Sequence, residues 1–193
     1  DGLGDVCDPC PQGVGNDADA DGLCENLDNC PNAANSGEYA LQFDGSNDFV
    51  QFQNQFPLHQ TGDKSVLIWV KKFNTNHSSV FWTRGDDADA NRFNIGVDNN
   101  WFTDYRAPNG SIQYVGGFPM ASNVWTHIGI VRAGNQYRIY KDGISVGVWT
   151  DNLLDLPTAV QWTLSGRGCC RFSGQMDELQ IWNRALTHSE LQN

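Results

Sequence analysis

The sequence predicts an all-β antiparallel sandwich led by a short, acidic, cysteine-rich segment, and three observations carry that prediction. Short runs alternate between apolar and polar residues over most of the chain, the period of half-buried strands. Long helical periodicities are missing while Gly is frequent, at 20 residues, which suits short strands joined by tight turns. Two well-formed alternating stretches stand far apart, YALQFDGSNDFVQF from Tyr39 and QMDELQIW ending at Trp182, as befits terminal strands that pair in a sandwich. Hydrophobic residues make up 39% of the chain, with seven Trp and ten Phe, enough for one sizeable packed core. No run of about 18 apolar residues occurs, so no membrane-spanning helix is expected. The chain opens without Met and in mid-pattern, which predicts a piece of a longer secreted protein.

Charge and cysteine separate the leading segment from the rest. Residues 1–63 hold twelve acids and no Lys or Arg, whereas residues 64–193 balance eleven acids against twelve bases. Acid at that density repels nucleic acid and anionic lipid, so neither is an expected partner, and it calls for solvent or cations. Four of the six Cys, namely Cys7, Cys10, Cys24 and Cys30, fall within the first 31 residues. So short a segment buries no core of its own, and Cys at this density implies disulfide staples and an oxidising compartment. Zinc is the competing interpretation of Cys7-Asp8-Pro9-Cys10, but no second such pair or His pair follows and the flanking ligands are hard carboxylates.

The run NDADADGLCENLDNCP supplies the cation site. Counted from Asp17, carboxylates fall at positions 1, 3, 5, 9 and 12 as Asp17, Asp19, Asp21, Glu25 and Asp28, with Gly22 at position 6 for the sharp turn. Hard oxygen donors in that number suit Ca²⁺, and the bland alternative is a solvated acidic linker. No amphipathic helices flank the loop, and with its Asn29-Cys30-Pro31 ending it resembles the thrombospondin type 3 repeat, with Glu25 where that family usually has Asp. The resemblance implies a Ca²⁺ ligand from the Leu23 carbonyl, with Glu25 completing this site or serving a second ion. Residues 1–11 resemble the second half of a preceding, truncated repeat, with Asp1, Gly2, Asp5 and Asp8 in register. The same family links neighbouring Cys in sequence order, which implies Cys10–Cys24 and leaves Cys7 and Cys30 as a second bridge or as two thiols. The expected boundary sets residues 1–36 as repeats and 37–193 as the sandwich.

Within the sandwich, strands are expected at 39–43, 48–53, 65–72, 79–83, 92–97, 101–106, 112–115, 126–131, 136–141, 144–149, 161–165 and 175–182. Asp142-Gly143 between two alternating runs signals a hairpin. His127 is expected as a packed His whose polar nitrogen meets a neighbouring strand or loop, with a ligand or base role as the alternative. Arg84-Gly85-Asp86 spells an integrin-type tripeptide that chance alone produces, and Asp87, Asp89 and Asn91 alternate like half a Ca²⁺ loop without its Gly. Cys169 and Cys170 are adjacent, and Gly166 and Gly168 nearby favour a vicinal disulfide over two thiols or an intermolecular bridge.

On the last strand, Asp177, Leu179 and Ile181 are expected on one face, and Met176, Glu178, Gln180 and Trp182 on the other. Thr187-His188-Ser189-Glu190 follows as a capping box opening a single-turn helix. This ending, with Asn183-Arg184-Ala185-Leu186 before the cap, closely resembles the last strand of laminin-G-like, concanavalin A-like jelly rolls. The resemblance implies a jelly-roll sandwich and a structural Ca²⁺ at Asp44 and the region of Asp177, where the first and last strands meet; turn chemistry alone makes Asp44-Gly45-Ser46-Asn47 a plain turn.

No E-x-D-x-E strand, Ser elbow or metal-spaced His pattern is present, and Asp177 and Glu178, being adjacent, would point to opposite faces of a regular strand. The expectation is therefore a non-catalytic, extracellular, secreted or cell-surface module that binds calcium and a polysaccharide beside other domains of a larger protein. The alternatives are a protein–protein adhesion or spacer module and, further off, a glycoside hydrolase or lyase. For the glycan, Trp101 and Tyr105 share strand parity and would form an aromatic platform, with Arg84 and Arg171 as partners for an acidic or sulfated sugar. The alternative places Trp101 in the core.

Overall fold

The computed structural model describes residues 40–52, 62–84, 92–106, 112–150, 161–166 and 170–191. The chain divides into two units, Asp1–Ala40 and Leu41–Asn193. The expected calcium ligands Asp17, Asp19, Asp21, Leu23, Glu25 and Asp28, and the cysteines Cys7, Cys10, Cys24 and Cys30, lie outside the described residues.

The second unit is a sandwich. Its strands are β1 (Leu41–Asp44), β2 (Val50–Gln51), β3 (Lys64–Lys72), β4 (Ser78–Arg84), β5 (Arg92–Val97), β6 (Asn100–Arg106), β7 (Ile112–Pro119), β8 (Thr126–Ala133), β9 (Gln136–Lys141), β10 (Ile144–Thr150), β11 (Gln161–Leu164) and β12 (Ser173–Trp182). Every expected strand is present. The largest changes are β2, shortened to Val50–Gln51, and β7, which runs on to Pro119 because Gly116 lies beneath the Tyr114 ring and the Phe102 Cβ and is not a turn. The first sheet has the order β1-β12-β3-β8-β9-β10 and the second β2-β11-β4-β5-β6-β7. The terminal strands pair as expected, Leu41 opposite Met176 and Asp44 opposite Ser173. At the β9–β10 hairpin, Asp142 (φ 48°) and Gly143 (φ 75°) both take the left-handed conformation that a tight Asp-Gly hairpin turn demands.

The core fills the space between the sheets. On β3, Val66, Ile68 and Val70 point inward, and all three are buried. Facing them from the second sheet are Phe81, Ile95 and Trp162. Burying each such aliphatic or aromatic side chain is worth about 1.5–3 kcal/mol, and a strand lacking period 2 would place half of them in water.

β12 departs from regular alternation, and this corrects one sequence expectation. Its register against β3 slips between Asp177 and Gln180, and Glu178 takes φ 47°. This bulge inserts one residue, so Met176 joins Leu179 and Ile181 on the core side while Asp177, Gln180 and Trp182 share the outward side. The apolar residues on both sides of the Asp-Glu pair thus reach one core. An unbroken period of 2 would have exposed Met176, which is 1% exposed.

Beyond β12 the chain folds back across the outward face of the first sheet. Leu186 and Leu191 cover Leu67, Val131 and Tyr140 in a second, smaller apolar cluster. The Ser65 hydroxyl donates to the Arg184 carbonyl at 2.9 Å and accepts the Leu186 N–H at 3.0 Å, pinning the segment to β3. Half of the expected capping box forms: the Glu190 carboxylate accepts the Thr187 N–H at 2.8 Å and the Thr187 hydroxyl at 2.9 Å, while the Glu190 N–H donates to the Thr187 backbone carbonyl and not to its side chain. The turn it opens, Ser189–Leu191, is a 3-10 helix.

Candidate functional site

The part of the outward face of the first sheet that the C-terminal segment leaves open carries a transverse row of polar and aromatic side chains. On β3, Ser65, Leu67, Trp69 and Lys71 point away from the core, since Val66, Ile68 and Val70 point into it. Register places Asp177 of β12 on one side of Trp69 and His127 of β8 on the other. Asp142, at the β9–β10 turn, comes next: its side chain accepts the His127 backbone N–H at 2.9 Å, and its own N–H donates to the His127 carbonyl at 2.9 Å. Directly opposed side chains on adjacent strands stand about 5 Å apart, so four side chains of three chemical kinds, two carboxylates, an indole and an imidazole, form one continuous line.

Trp69 is 36% exposed, a large aromatic surface to leave in water. It divides two hollows. One, of about 270 Å³, is lined by Trp69, Trp125, Asp177 and Glu178. The other, of about 690 Å³, is lined by Trp69, His127, Asp142, Glu178 and Gln180 with an apolar floor and wall from Leu67 and Leu191. Volumes of roughly 300–1,000 Å³ are usual for small-molecule sites, so the first suits a single ring and the second more than one.

The β12 bulge shapes the site as well as the core. The Asp177 carboxylate accepts the Glu178 N–H at 2.8 Å, holding Glu178 in its left-handed conformation. Both carboxylates consequently line the smaller hollow. The expectation that they diverge to opposite faces is corrected, because it assumed a regular strand. His127 packs its ring against Trp69, centroids 5.1 Å apart at 34°. Burial pushes the His127 pKa below its ordinary value, and the nearby Asp142 opposes that shift in part, so the imidazole is neutral at pH 7. Its backbone, not its ring, makes the hydrogen bonds to the neighbouring turn. Lys71 stands beside the smaller hollow with Nζ 5.9 Å from the centre of the Trp125 ring.

The residues singled out by sequence do not assemble here. Trp101 is 0% exposed, packs in the core against Phe118 at 5.6 Å, and its indole N–H has no hydrogen-bond partner among the described residues. It is no platform, because its parity on β6 points it between the sheets. Tyr105 lies on β6 opposite Gln113, and its side chain is outside the description. Arg84 and Arg171 belong to opposite ends of β4. Arg84 pairs with Gln161, whereas Ser79 at the other end donates its N–H to the carbonyl of Cys170, the neighbour of Arg171. Five residues of strand separate those ends by about 17 Å of backbone, more than the width of one sugar ring. The Arg84 side chain is not among those described. Arg171 is engaged locally, donating to the Asn47 carbonyl at 2.9 Å and lying over the Phe49 ring at 5.5 Å. Gly85, Asp86, Asp87, Asp89, Asn91 and Cys169 lie outside the described residues, while Cys170 is half-buried.

The implied shared site of Asp44 and Asp177 is also corrected. Asp44 sits opposite Ser173, four residues along β12 from Asp177, a distance of about 13 Å. The Asp44 carboxylate instead accepts the N–H groups of Ser46 and Asn47, at 2.6 and 3.3 Å, and so closes its own turn. Among the described residues, no group of three or more His, Cys, Asp or Glu side chains is arranged to hold a metal.

Sequence reasoning missed Trp69 and Trp125 and discarded Glu178. The signal for Trp69 was present: on β3 it shares parity with Ser65 and Lys71, so an aromatic sat on the half-polar face of its strand. Nothing in the sequence announced the bulge that brings Glu178 beside it.

The match to known families agrees with this architecture. A family model described as the concanavalin A-like lectin/glucanases superfamily (Laminin_G_3) matches residues 44–192. The chain belongs to that family. No curated protein sequence matches it significantly. Among solved structures it is similar to a carbohydrate-binding module (CBM40) of the Ruminococcus gnavus IT-sialidase, bound to α2,3-sialyllactose. That likeness has a TM-score of 0.64 at 12% identity and covers 79% of this chain and 94% of that one. It is also similar to a heptameric SAP-like pentraxin from Limulus polyphemus, with a TM-score of 0.59 at 17% identity over 78% of both chains. The binding domain of Paraclostridial Mosquitocidal Protein 1 gives 0.61 at 17% identity, covering 79% of this chain but only 42% of that chain. At these identities the likeness is one of fold, and that fold is lectin-like.

Proposed function

We propose that this member of the superfamily is a non-catalytic carbohydrate-binding module of a larger extracellular protein, and that its glycan lies across Trp69. The observation that carries this reading is the exposed indole of Trp69 set between two hollows, with Trp125, Asp177 and Glu178 on one side and His127, Asp142 and Gln180 on the other. Sugars present apolar C–H faces and a fringe of hydroxyls. An indole face takes the first, and carboxylates, an amide and a neutral imidazole take the second. The glycan-bound state of one similar module supports the same use of the fold. The face around Trp69 carries neither Arg84 nor Arg171, the two residues on which an acidic or sulfated glycan was expected to rest.

The leading unit completes the proposal as a calcium-bound, disulfide-stapled repeat. Asp17, Asp19, Asp21, Glu25 and Asp28 form a donor set of hard oxygens whose chemistry fits Ca²⁺, with the Leu23 carbonyl as a further ligand. Bound there, the ion would neutralise a cluster of like charges and order the segment. Calorimetry on EDTA-stripped protein is expected to show tight Ca²⁺ uptake that Asp19→Ala weakens sharply, and no uptake would sink this part.

The glycan test is an array followed by calorimetry with Trp69→Ala, first checked for intact folding. Binding reduced by at least about tenfold is expected, since stacking and area burial together exceed 1.4 kcal/mol. A Trp69→Ala variant that binds as the parent does moves the site elsewhere, and a parent that binds no glycan leaves the adhesion reading. Because Asp177 and Glu178 share a hollow, reducing-sugar release is the direct check on catalysis: measurable release would replace the non-catalytic reading.

A further inference from the structure

The smaller hollow has a sign as well as a shape. Two of its four lining side chains are indoles and two are carboxylates, and no Lys or Arg is among the described residues that line either hollow. Asp142 adds a third acid at the far end of the row, and His127 contributes no charge while its imidazole is neutral. An indole face attracts a cation through its quadrupole, more strongly where water is displaced. Carboxylates beside it gain a charge-assisted hydrogen bond only from a donor, and best from a charged one. A sulfate or uronate would meet like charge on two sides. Lys71 shows the preference within the molecule, since its ammonium stands 5.9 Å over the Trp125 ring. It flanks the hollow without lining it, so an incoming ammonium would compete with it for the same indole.

We infer that the Trp69–Trp125 hollow receives the protonated amine of a de-N-acetylated hexosamine unit, with Asp177 and Glu178 as its hydrogen-bond acceptors, so that the glycan selected is a cationic, glucosamine-type chain. This rests on the glycan-binding reading above. Neighbouring units of the chain would occupy the larger hollow, where Gln180, Asp142 and the apolar wall of Leu191 suit hydroxyls and ring faces.

The test uses calorimetry on the full chain with four probes: a glucosamine tetramer, an N-acetylglucosamine tetramer, a sulfated galactan oligomer and tetramethylammonium. The amine tetramer is expected to bind about tenfold tighter than its acetylated form, the loss of one desolvated cation–π and charge-assisted contact. Glu178→Gln, at an exposed position, should weaken it about five- to tenfold, whereas Lys71→Ala should tighten it by about two- to threefold. Those opposite signs identify a cationic ligand. Equal affinity for both tetramers, with Trp69→Ala still abolishing binding, overturns the amine assignment and leaves the glycan reading standing. A preference for the sulfated chain that Lys71→Ala removes does the same. Tetramethylammonium binding as tightly as the tetramer would assign the hollow to organic cations at large and remove the hexosamine. If none of the oligomers binds, the amine assignment falls, and the glycan array decides the glycan reading separately.

Discussion

The two sheets each carry aromatic side chains on an outward face, and they treat them in opposite ways. On the second sheet, Phe102 lies between Gly96 of β5 and Gly116 of β7, its cross-strand partners, and is only 3% exposed. Its ring occupies the volume that a Cβ at Gly96 would need. His77 stacks on it at 5.1 Å and Tyr114 at 5.4 Å, so the aromatic is bedded and lidded. On the first sheet, Trp69 has Asp177 and His127 as its cross-strand partners and stays 36% exposed. An outward aromatic is therefore not a site in itself. Glycine partners let the ring lie down and spend its surface on the sheet. Partners with bulk and charge hold it up, beside groups that can recognise a ligand.

That contrast can be broken in stages. The largest effect belongs to an indole on neither outward face. Trp101→Ala empties a fully buried site and is expected to cost about 3–5 kcal/mol in urea denaturation. Trp69→Ala, removing a partly exposed ring, should cost under about 1 kcal/mol while abolishing glycan binding. If the two variants lose stability equally, Trp69 belongs to the core and the site assignment is wrong.

A smaller effect tests the glycine bed. Gly96→Ala places a methyl group where the Phe102 ring lies, and overpacking of this kind costs about 1–3 kcal/mol. The melting temperature should drop while glycan affinity stays at the parent value. An unchanged melting temperature would show that Phe102 moves aside freely and that the bed is not specific.

The smallest effect concerns the C-terminal segment that closes one end of the Trp69 face. Hydrogen bonds from Arg184, and then from the Thr187 backbone and hydroxyl, pull the Glu190 pKa down from 4.5 to about 2. A depressed carboxylate contributes stability that is complete above pH 4.5 and is lost as pH falls towards 2. Melting curves should show the parent above Glu190→Gln at neutral pH, with the gap closing across that window. A constant gap would mean that the carboxylate charge plays no part. Being exposed, the pair is screened and the gap will be modest.

Much of the fold was legible because it depends on local alternation. β5 and β9 match their expected bounds, and the terminal strands pair as their separation implied. The Glu190–Thr187 half of the capping box was legible for the same reason, since its partners lie three residues apart. The site was less so. Trp101 and Trp69 both sit on alternating strands, and alternation says that a strand has two faces without saying which one meets the other sheet.

What the sequence by itself determined is the class: short alternating strands, an Asp-Gly hairpin and a helical turn at the end of the last strand. These are short-range properties, written in spacings of a few residues. Only the tertiary structure decided the functional face. The bulge at Asp177–Glu178 arises because Met176, Leu179 and Ile181 must all reach one core against β3, a demand set by packing across the sheet. Satisfying it turns Glu178 outward beside Asp177. Register then sets both beside Trp69, a residue more than a hundred positions earlier in the chain.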